Sequence, residues 1–266
     1  MIEAVLSKTL EHERAHFERL ILEIVRAGIT YRSKQGNPIT PHDIDVLNGH
    51  ILEIGFKFPD LWDSDFQTSL RMDSTARAKE RVENAIEKEK TRVSGLSARV
   101  THLERLSAAF LELHSISPQS AGLGFEKLLN ELFDLEGLAP RGSFRVVGEQ
   151  IDGSATLDHE SYLIEAKWER DPLPEAPLLT FRGKIEGKSA FTRGIFIALN
   201  GISEPARHSI TTGKQSTFFV VNGHDLMMVL KGNITLPEFL RQRQRLLAEE
   251  SQVVVPFGEL WKGSRR

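Results

Sequence analysis

Residues 151–168 read IDGSATLDHESYLIEAKW, and this stretch decides how the C-terminal half of the chain folds. Ile151 to Leu157 alternates between apolar and polar residues. Ser161 to Trp168 has a continuous apolar run at Tyr162–Ile164 and alternates from Ile164 to Trp168. Both patterns belong to strands, and His159-Glu160 supplies the turn between them. Asp152 thus opens one arm of a hairpin, and Glu165, thirteen residues on, stands on the other. Successive strand residues point to opposite faces, so Glu165 and Lys167 share one face while Ile164 and Ala166 point into packing. A glutamate and a lysine on a strand buried on both sides are expected only where they are paired or functional.

Outward from the hairpin, helices and strands alternate. Gly124 to Leu135 reads as a helix, with Phe125, Leu128, Leu129, Leu132 and Phe133 on one side. Ser143–Val147 is a short strand candidate, and Leu178–Ala190 a helix. The run GIFIAL at 194–199 has the apolar density of a buried central strand. A helix over Glu204–Thr211, a strand over Thr217–Val221 and helices over Asp225–Leu230 and Pro237–Glu249 complete the series. The fold class is therefore α/β, a mixed sheet covered by helices.

Asp152 and Glu165 supply hard oxygen ligands of the kind Mg²⁺ accepts, one or two carboxylates with water filling the other positions. Such an ion stabilises charge developing on a phosphate. Lys167 is suited to orient or deprotonate an attacking water, or to neutralise the transition state. Glu126, on the preceding helix, is placed to support the metal. The spacing of Asp152, Glu165 and Lys167 is short, and a solvent-exposed hairpin carrying Glu and Lys as a pair would also produce it. The order of surrounding elements favours the functional reading.

Five segments in order resemble the Mrr-like restriction endonuclease domain of the PD-(D/E)XK nuclease superfamily, over roughly Gly122 to Leu247. GFEKLLNELF resembles the family's opening helix and sets its glutamate on Glu126. GEQIDGS is similar to the Asp-Gly segment and sets the metal-binding aspartate on Asp152. YLIEAKW resembles the (Q/E)-x-K strand, giving Glu165 and Lys167. FRGKIEGKSAFTRGIFIALNGISEPA and FFVVNGHDLMMVL resemble the following helix–strand and strand–helix units. The resemblance implies a restriction-endonuclease-like fold and a metal-dependent DNA endonuclease that uses Mg²⁺, with Mn²⁺ as a substitute. It also implies DNA as partner and restriction or anti-phage defence as the setting. Arg182, Lys184, Lys188 and Arg193 lie around the helix that this resemblance brings to the nucleic-acid backbone. An ordinary solvated helix face is the competing reading. Glu149-Gln150 departs from the basic or glycine-rich approach common before the aspartate. A binding or assembly module without turnover, and a structure-selective junction-resolving nuclease, are the alternative functions.

The N-terminal half reads as all-α. Leu6, Leu10, Phe17, Leu20, Ile21, Ile24 and Val25 fit an amphipathic helix over Ile2–Ala27 that Gly28 ends. Thr40-Pro41 starts a second helix, running to about Ile54. Thr75–Leu113 reads as one long helix whose Ile86, Val93, Leu96, Val100, Leu103 and Phe110 fit a heptad seam, interrupted by Glu89 and Ser107. Two readings stand for it: packing on its own N-terminal neighbours, or a coiled coil pairing two chains. The expected division is a helical domain at 1–115 for oligomerisation or partner binding, a catalytic domain at 120–250 and a tail at 251–266. The Ser/Gly/Pro-rich stretch Ser115–Gly124 reads as the linker.

Composition excludes several classes. With no cysteine, disulfides, thiolate zinc sites and cysteine nucleophiles are absent. His12 and His16 stand four apart without the glutamate of a zinc-protease helix, which reads as a solvated face. The net charge of −3 does not by itself attract nucleic acid, so a binder needs a local basic patch. The terminal KGSRR at 262–266 reads as a frayed tail. No stretch approaches the ~20 apolar residues of a membrane span, and the N-terminus lacks a secretory core. The expectation is a cytoplasmic protein.

Overall fold

The computed structural model describes residues 9–10, 16–71, 75–146, 149–211 and 215–260. The expected helix start at Ile2, His12 and the terminal KGSRR lie outside them. The chain resolves into two compact units, Met1–Ala98 and Arg99–Arg266. The division falls inside a helix and not in the Ser115–Gly124 stretch expected as a linker.

In the first unit, helix α1 (Phe17–Lys34) continues past Gly28, where an end was expected. Gly28 instead marks a close approach: a Cβ there would lie 2.9 Å from Ile39 Cδ1. Helix α2 (Pro41–Glu53) starts where Thr40-Pro41 predicts it. Its capping box is complete, since Thr40 Oγ1 accepts the Asp43 N–H and Asp43 Oδ2 accepts the Thr40 N–H. The short helices α3 (Pro59–Trp62) and α4 (Ser64–Arg71) follow, and α5 spans Thr75–Glu112. Leu22, Val25, Ile44, Phe58, Leu61, Phe66, Val82 and Ile86 build the core of this unit. Glu89, read as an interruption of the seam, is buried and held by Arg92 at 2.6 and 2.7 Å.

In the second unit, the last part of α5 contributes Leu103, Leu106 and Phe110 to a core shared with α6 (Pro118–Leu135). The supposed linker is mostly the first turns of α6. Ser117 is its N-cap, accepting the Ser120 N–H, and Pro118 stands in the first turn. A two-stranded ribbon pairs β1 (Phe144–Val146) with β2 (Glu149–Ile151). The main sheet has the order β3 (Gly153–Leu157), β4 (Glu160–Lys167), β5 (Thr192–Ala198), β6 (Phe218–Asn222). Strands β3 and β4 are antiparallel, and β4, β5 and β6 are mutually parallel, so the sheet is mixed.

Helices cover both faces. Tyr162, Ile164, Ile195, Ile197 and Phe219 face α6, α9 (Gly223–Leu230) and α10 (Leu236–Glu250). Leu163, Phe196, Phe218 and Val220 face α7 (Glu175–Glu186) and α8 (Glu204–Thr211). Beyond α10 the expected tail is built into the fold as far as it is described. Val253 and Val255 are buried, the Val253 carbonyl accepts the Val220 N–H at 2.9 Å, and α11 (Phe257–Leu260) buries Phe257. Three apolar residues at alternate positions, 253, 255 and 257, hold this part of the chain against the domain. No helix among the described residues is long and apolar enough to cross a membrane.

Candidate active site

One strand was expected over Ile151–Leu157, and the structure breaks it at Asp152. Ile151 ends β2, Gly153 begins β3, and the Asp152 side chain replaces a ladder partner: its Oδ2 accepts the Ala166 N–H at 3.1 Å. Gly153 follows for a steric reason, because Arg141 O sits 3.2 Å from where a Cβ would stand. The aspartate is thereby fixed against the end of β4.

On β4 the expected alternation holds. Ile164 and Ala166 pack into the α6 side, while Glu165 and Lys167 emerge on the α7 side. Glu165 is only 7% exposed. Lys167 Nζ lies 2.7 Å from Glu165 Oε1 and 3.5 Å from Asp152 Oδ2, so one ammonium is shared by the two carboxylates. Burial works against the Lys167 charge, but pairing with Glu165 and then Asp152 outweighs it and lifts the pKa above the ordinary lysine value.

Glu126 projects from α6 into a small cavity that Asp152, Asn130 and Arg141 also line. Burial, and then the negative charge of Asp152, push its carboxyl above the ordinary value, with Lys167 opposing and Glu165 adding to the shift. The structure thus brings together Asp152, Glu165, Lys167 and Glu126.

The four cations expected along the nucleic-acid backbone do not form one surface. Arg182 is 3% exposed and its Nη2 donates to Ile210 O at 2.8 Å, so it ties α7 to the end of α8. Its position with Leu178, Phe181 and Ile185 on the buried stripe of α7 accounts for this. Lys184 turns into the site, with Nζ 2.7 Å from Glu165 Oε2. Lys188 remains near the surface and pairs with Glu149 at 3.0 Å, which makes that departing acid an ion-pair partner at an exposed strand end. Arg193 registers with Tyr162 at the opposite end of β4 from Lys167, and its Nη1 donates to Ala190 O.

Lys184 is the site member that sequence reasoning placed elsewhere. Nineteen residues separate it from Glu165, and neither helical nor strand periodicity links the two. Only the packing of α7 on the sheet reveals the contact.

The donor set suits a divalent cation. Two hard carboxylates converge on the point where the Lys167 ammonium now sits, and the Glu126 carboxyl lies close enough to feel both Asp152 and Lys167. Among the described residues no three His, Asp or Glu side chains are grouped closely enough to enclose an ion alone. An ion here would complete its shell with water or substrate oxygen, the habit of Mg²⁺.

Residues 118–230 match the family model for the Mrr-type catalytic domain, described as restriction endonuclease. This segment is an Mrr-like restriction endonuclease domain. No curated protein and no solved structure matches the chain. The Mrr-like domain begins at the first turn of α6 and ends with α9, so it contains all four converging residues and the whole main sheet. Its family is a nuclease family, whose substrate class is DNA and whose members generally use divalent metals.

Proposed function

We propose that the Mrr-like domain is a metal-dependent endodeoxyribonuclease that hydrolyses phosphodiester bonds. The observation that carries this reading is the sharing of Lys167 Nζ between Glu165 Oε1 at 2.7 Å and Asp152 Oδ2 at 3.5 Å. Asp152 and Glu165 hold Mg²⁺, or Mn²⁺ in its place, and Glu126 supports that site. The bound ion supplies charge neutralisation at a phosphate and a more acidic water.

The remaining roles belong to the chain itself. The Ala166 N–H fixes one Asp152 oxygen. Lys184 fixes Glu165 from the α7 side and leaves its other oxygen to the shared point. Lys167, held as a three-donor ammonium at the sheet rim, turns toward a phosphate oxygen and stabilises the charge that grows there.

The setting is proposed to be defence against foreign DNA, on the family likeness. Self-association or partner binding is assigned to the N-terminal helices, supported by Leu96 and Val100, which stand exposed on α5.

Plasmid nicking tests the function, with Mg²⁺, with Mn²⁺ and with neither. Wild-type protein should cut only with metal. Asp152→Asn, Glu165→Gln and Lys167→Met should each lose the activity by orders of magnitude while circular dichroism reports an intact fold. Cleavage surviving in all three variants, or absent from the wild type with either metal, would overturn the reading. A parallel series of linear duplex, single-stranded and branched DNA separates a general endonuclease from a junction-resolving one.

A further inference from the structure

A cavity of about 540 Å³ lies one residue beyond Lys167, lined by Trp168, His114, Glu169, Asp171, Leu173 and Asn200 among others. That volume falls within the roughly 300–1,000 Å³ of small-molecule sites. Its position follows from topology. The parallel strands β4 and β5 end together, Lys167 registering with Ala198, and the cavity is built from the residues that follow each strand. It therefore opens at the same rim as the carboxylates.

The walls are preformed. Pro172 and Pro174 fix the backbone of the loop after β4. Leu173 is clamped between Gly201 and Ser203 by backbone bonds of 3.0 and 2.9 Å. Asn200 Nδ2 donates to the carbonyls of Glu169 and Arg170 at 2.9 and 3.0 Å. A loop of this length, tied at both ends, keeps its shape without a ligand.

The lining chemistry selects a type of occupant. Trp168 packs against Phe110, His114 and Phe125, but each ring meets it steeply, at 78°, 68° and 65°. Parallel stacking on the indole is not used by these three neighbours. Glu169 and Asp171 contribute exposed carboxylates that accept N–H donors, and Arg170 between them brings a guanidinium to the same wall, leaving one net negative charge that does not favour a free phosphate. A flat, uncharged heterocycle with an exocyclic or ring N–H meets both requirements.

We infer that this cavity receives a nucleobase unstacked from the DNA strand beside the phosphate held at Lys167. Stacking on Trp168 holds the base by its face, and Glu169 or Asp171 reads its N–H edge. Removing a base from the helix requires breaking its stacking and pairing, so mismatched, single-stranded or weakly paired positions enter most readily. The inference rests on the nuclease reading only for the path by which DNA reaches the rim.

The test uses the full-length Asp152→Asn variant without metal, so that bound DNA stays whole. Oligonucleotides carry one 2-aminopurine moved along the sequence, in single-stranded, duplex and mismatched forms. The emission of this base rises when it leaves the stack, and anisotropy of a labelled end reports binding separately. Emission should change at one position, most readily in the mismatched form, and at saturating protein it should rise further there in Trp168→Ala, because the indole quenches a base stacked on it. Trp168→Ala should weaken binding of the unstacked base by on the order of 10- to 100-fold, the loss expected for one base–aromatic stack. Trp168 is packed, so a second variant leaves the rings intact: Glu169→Gln with Asp171→Asn should lower the emission change without unfolding the protein. No change in emission at any position, in the Asp152→Asn protein or with Trp168→Ala added, overturns the inference, whether or not anisotropy shows binding. Saturable quenching of the protein's tryptophan by free nucleosides, without a change in 2-aminopurine emission in DNA, overturns it in favour of a free nucleotide. Plasmid cleavage by the wild type is scored apart, so the nuclease reading and the base cavity fail independently.

Discussion

Lys184 Nζ donates to Glu165 Oε2 at 2.7 Å, while Lys167 Nζ donates to Oε1 of the same carboxylate at 2.7 Å. One buried glutamate is thus gripped from its own strand and from the helix packed above it. This arrangement fixes the carboxylate plane without any ligand.

Lys184→Met should therefore destabilise the protein. Glu165 keeps Lys167 but loses the partner of its second oxygen, and an unpartnered buried acceptor costs about 1–3 kcal/mol. Urea unfolding at neutral pH measures it. Glu165→Gln in the same background should recover much of the loss, because the charge that needed Lys184 is gone. Equal and additive losses in the two single variants would show that the contact does not hold Glu165.

Glu126 should respond in the opposite sense. Burial and the neighbouring Asp152 charge raise its pKa, so the folded chain binds that proton more tightly than the unfolded chain does. Ionised at neutral pH, Glu126 opposes folding. That penalty fades as pH falls through its raised value. Glu126→Gln should stabilise the metal-free protein at pH 7, by less than about 1 kcal/mol for a partly exposed charge. The gain should vanish near pH 4, where the wild-type carboxyl is protonated as well. Thermal melts of both proteins across that range decide it, and a destabilised Glu126→Gln at pH 7 would contradict it.

The helical unit offers an independent check on sequence-encoded capping. Asp43 is held down to about 2 by the Thr40 N–H, then by the Thr40 hydroxyl, with Arg32 contributing. A depressed carboxylate stabilises the fold above its unfolded value, near 3.8, and that stability is lost as pH falls toward 2. Thr40→Ala should cost about 1 kcal/mol at neutral pH. The difference between variant and wild type should shrink in acid, because the bond the Thr40 hydroxyl donates to Asp43 Oδ2 at 2.7 Å depends on the Asp43 charge. A constant difference from pH 6 to pH 2 would show that the box is not closed in solution.

The sequence exposed those features whose cause is local. Thr40-Pro41 announces a helix start, GIFIAL a buried strand, and the two-residue period of β4 places Glu165 and Lys167 together on one face. Asp152 was legible as the opening of the hairpin, but the break it makes in the strand was not. That break depends on the Ala166 N–H, which comes within reach only when β4 is in register. Ser117-Pro118 carries the signature of a helix cap, yet the glycines at 122 and 124 made the stretch look like a linker. Gly124 is instead a contact, since a Cβ there would run into Leu113 of the preceding turn. Arg182 and Lys184 looked alike as charges on a helix. Tertiary packing alone sent one into the α8 end and the other onto Glu165.

Two glycines test that packing directly. Gly194 opens the buried run of β5, and a Cβ there would stand 2.7 Å from Phe181 Cε1 and 2.8 Å from Phe218 Cβ, with Ile185 Cδ1 also in its way. The Phe218 atom belongs to the neighbouring strand and cannot swing aside, so Gly194→Ala should lose about 1–3 kcal/mol by overpacking. Phe181 and Ile185 belong to α7, and pushing them outward also moves Lys184, which lies between them, away from Glu165. Nuclease activity should therefore fall more than the lost stability explains at a temperature where the variant is folded. Gly183, in the same helix, has open space around its Cβ position. Gly183→Ala should gain about 0.5–1 kcal/mol from helix propensity and leave cleavage unchanged. Urea midpoints and plasmid cleavage measured on both variants separate the cases. Equal behaviour of the two would mean that α7 does not press on β5 as described.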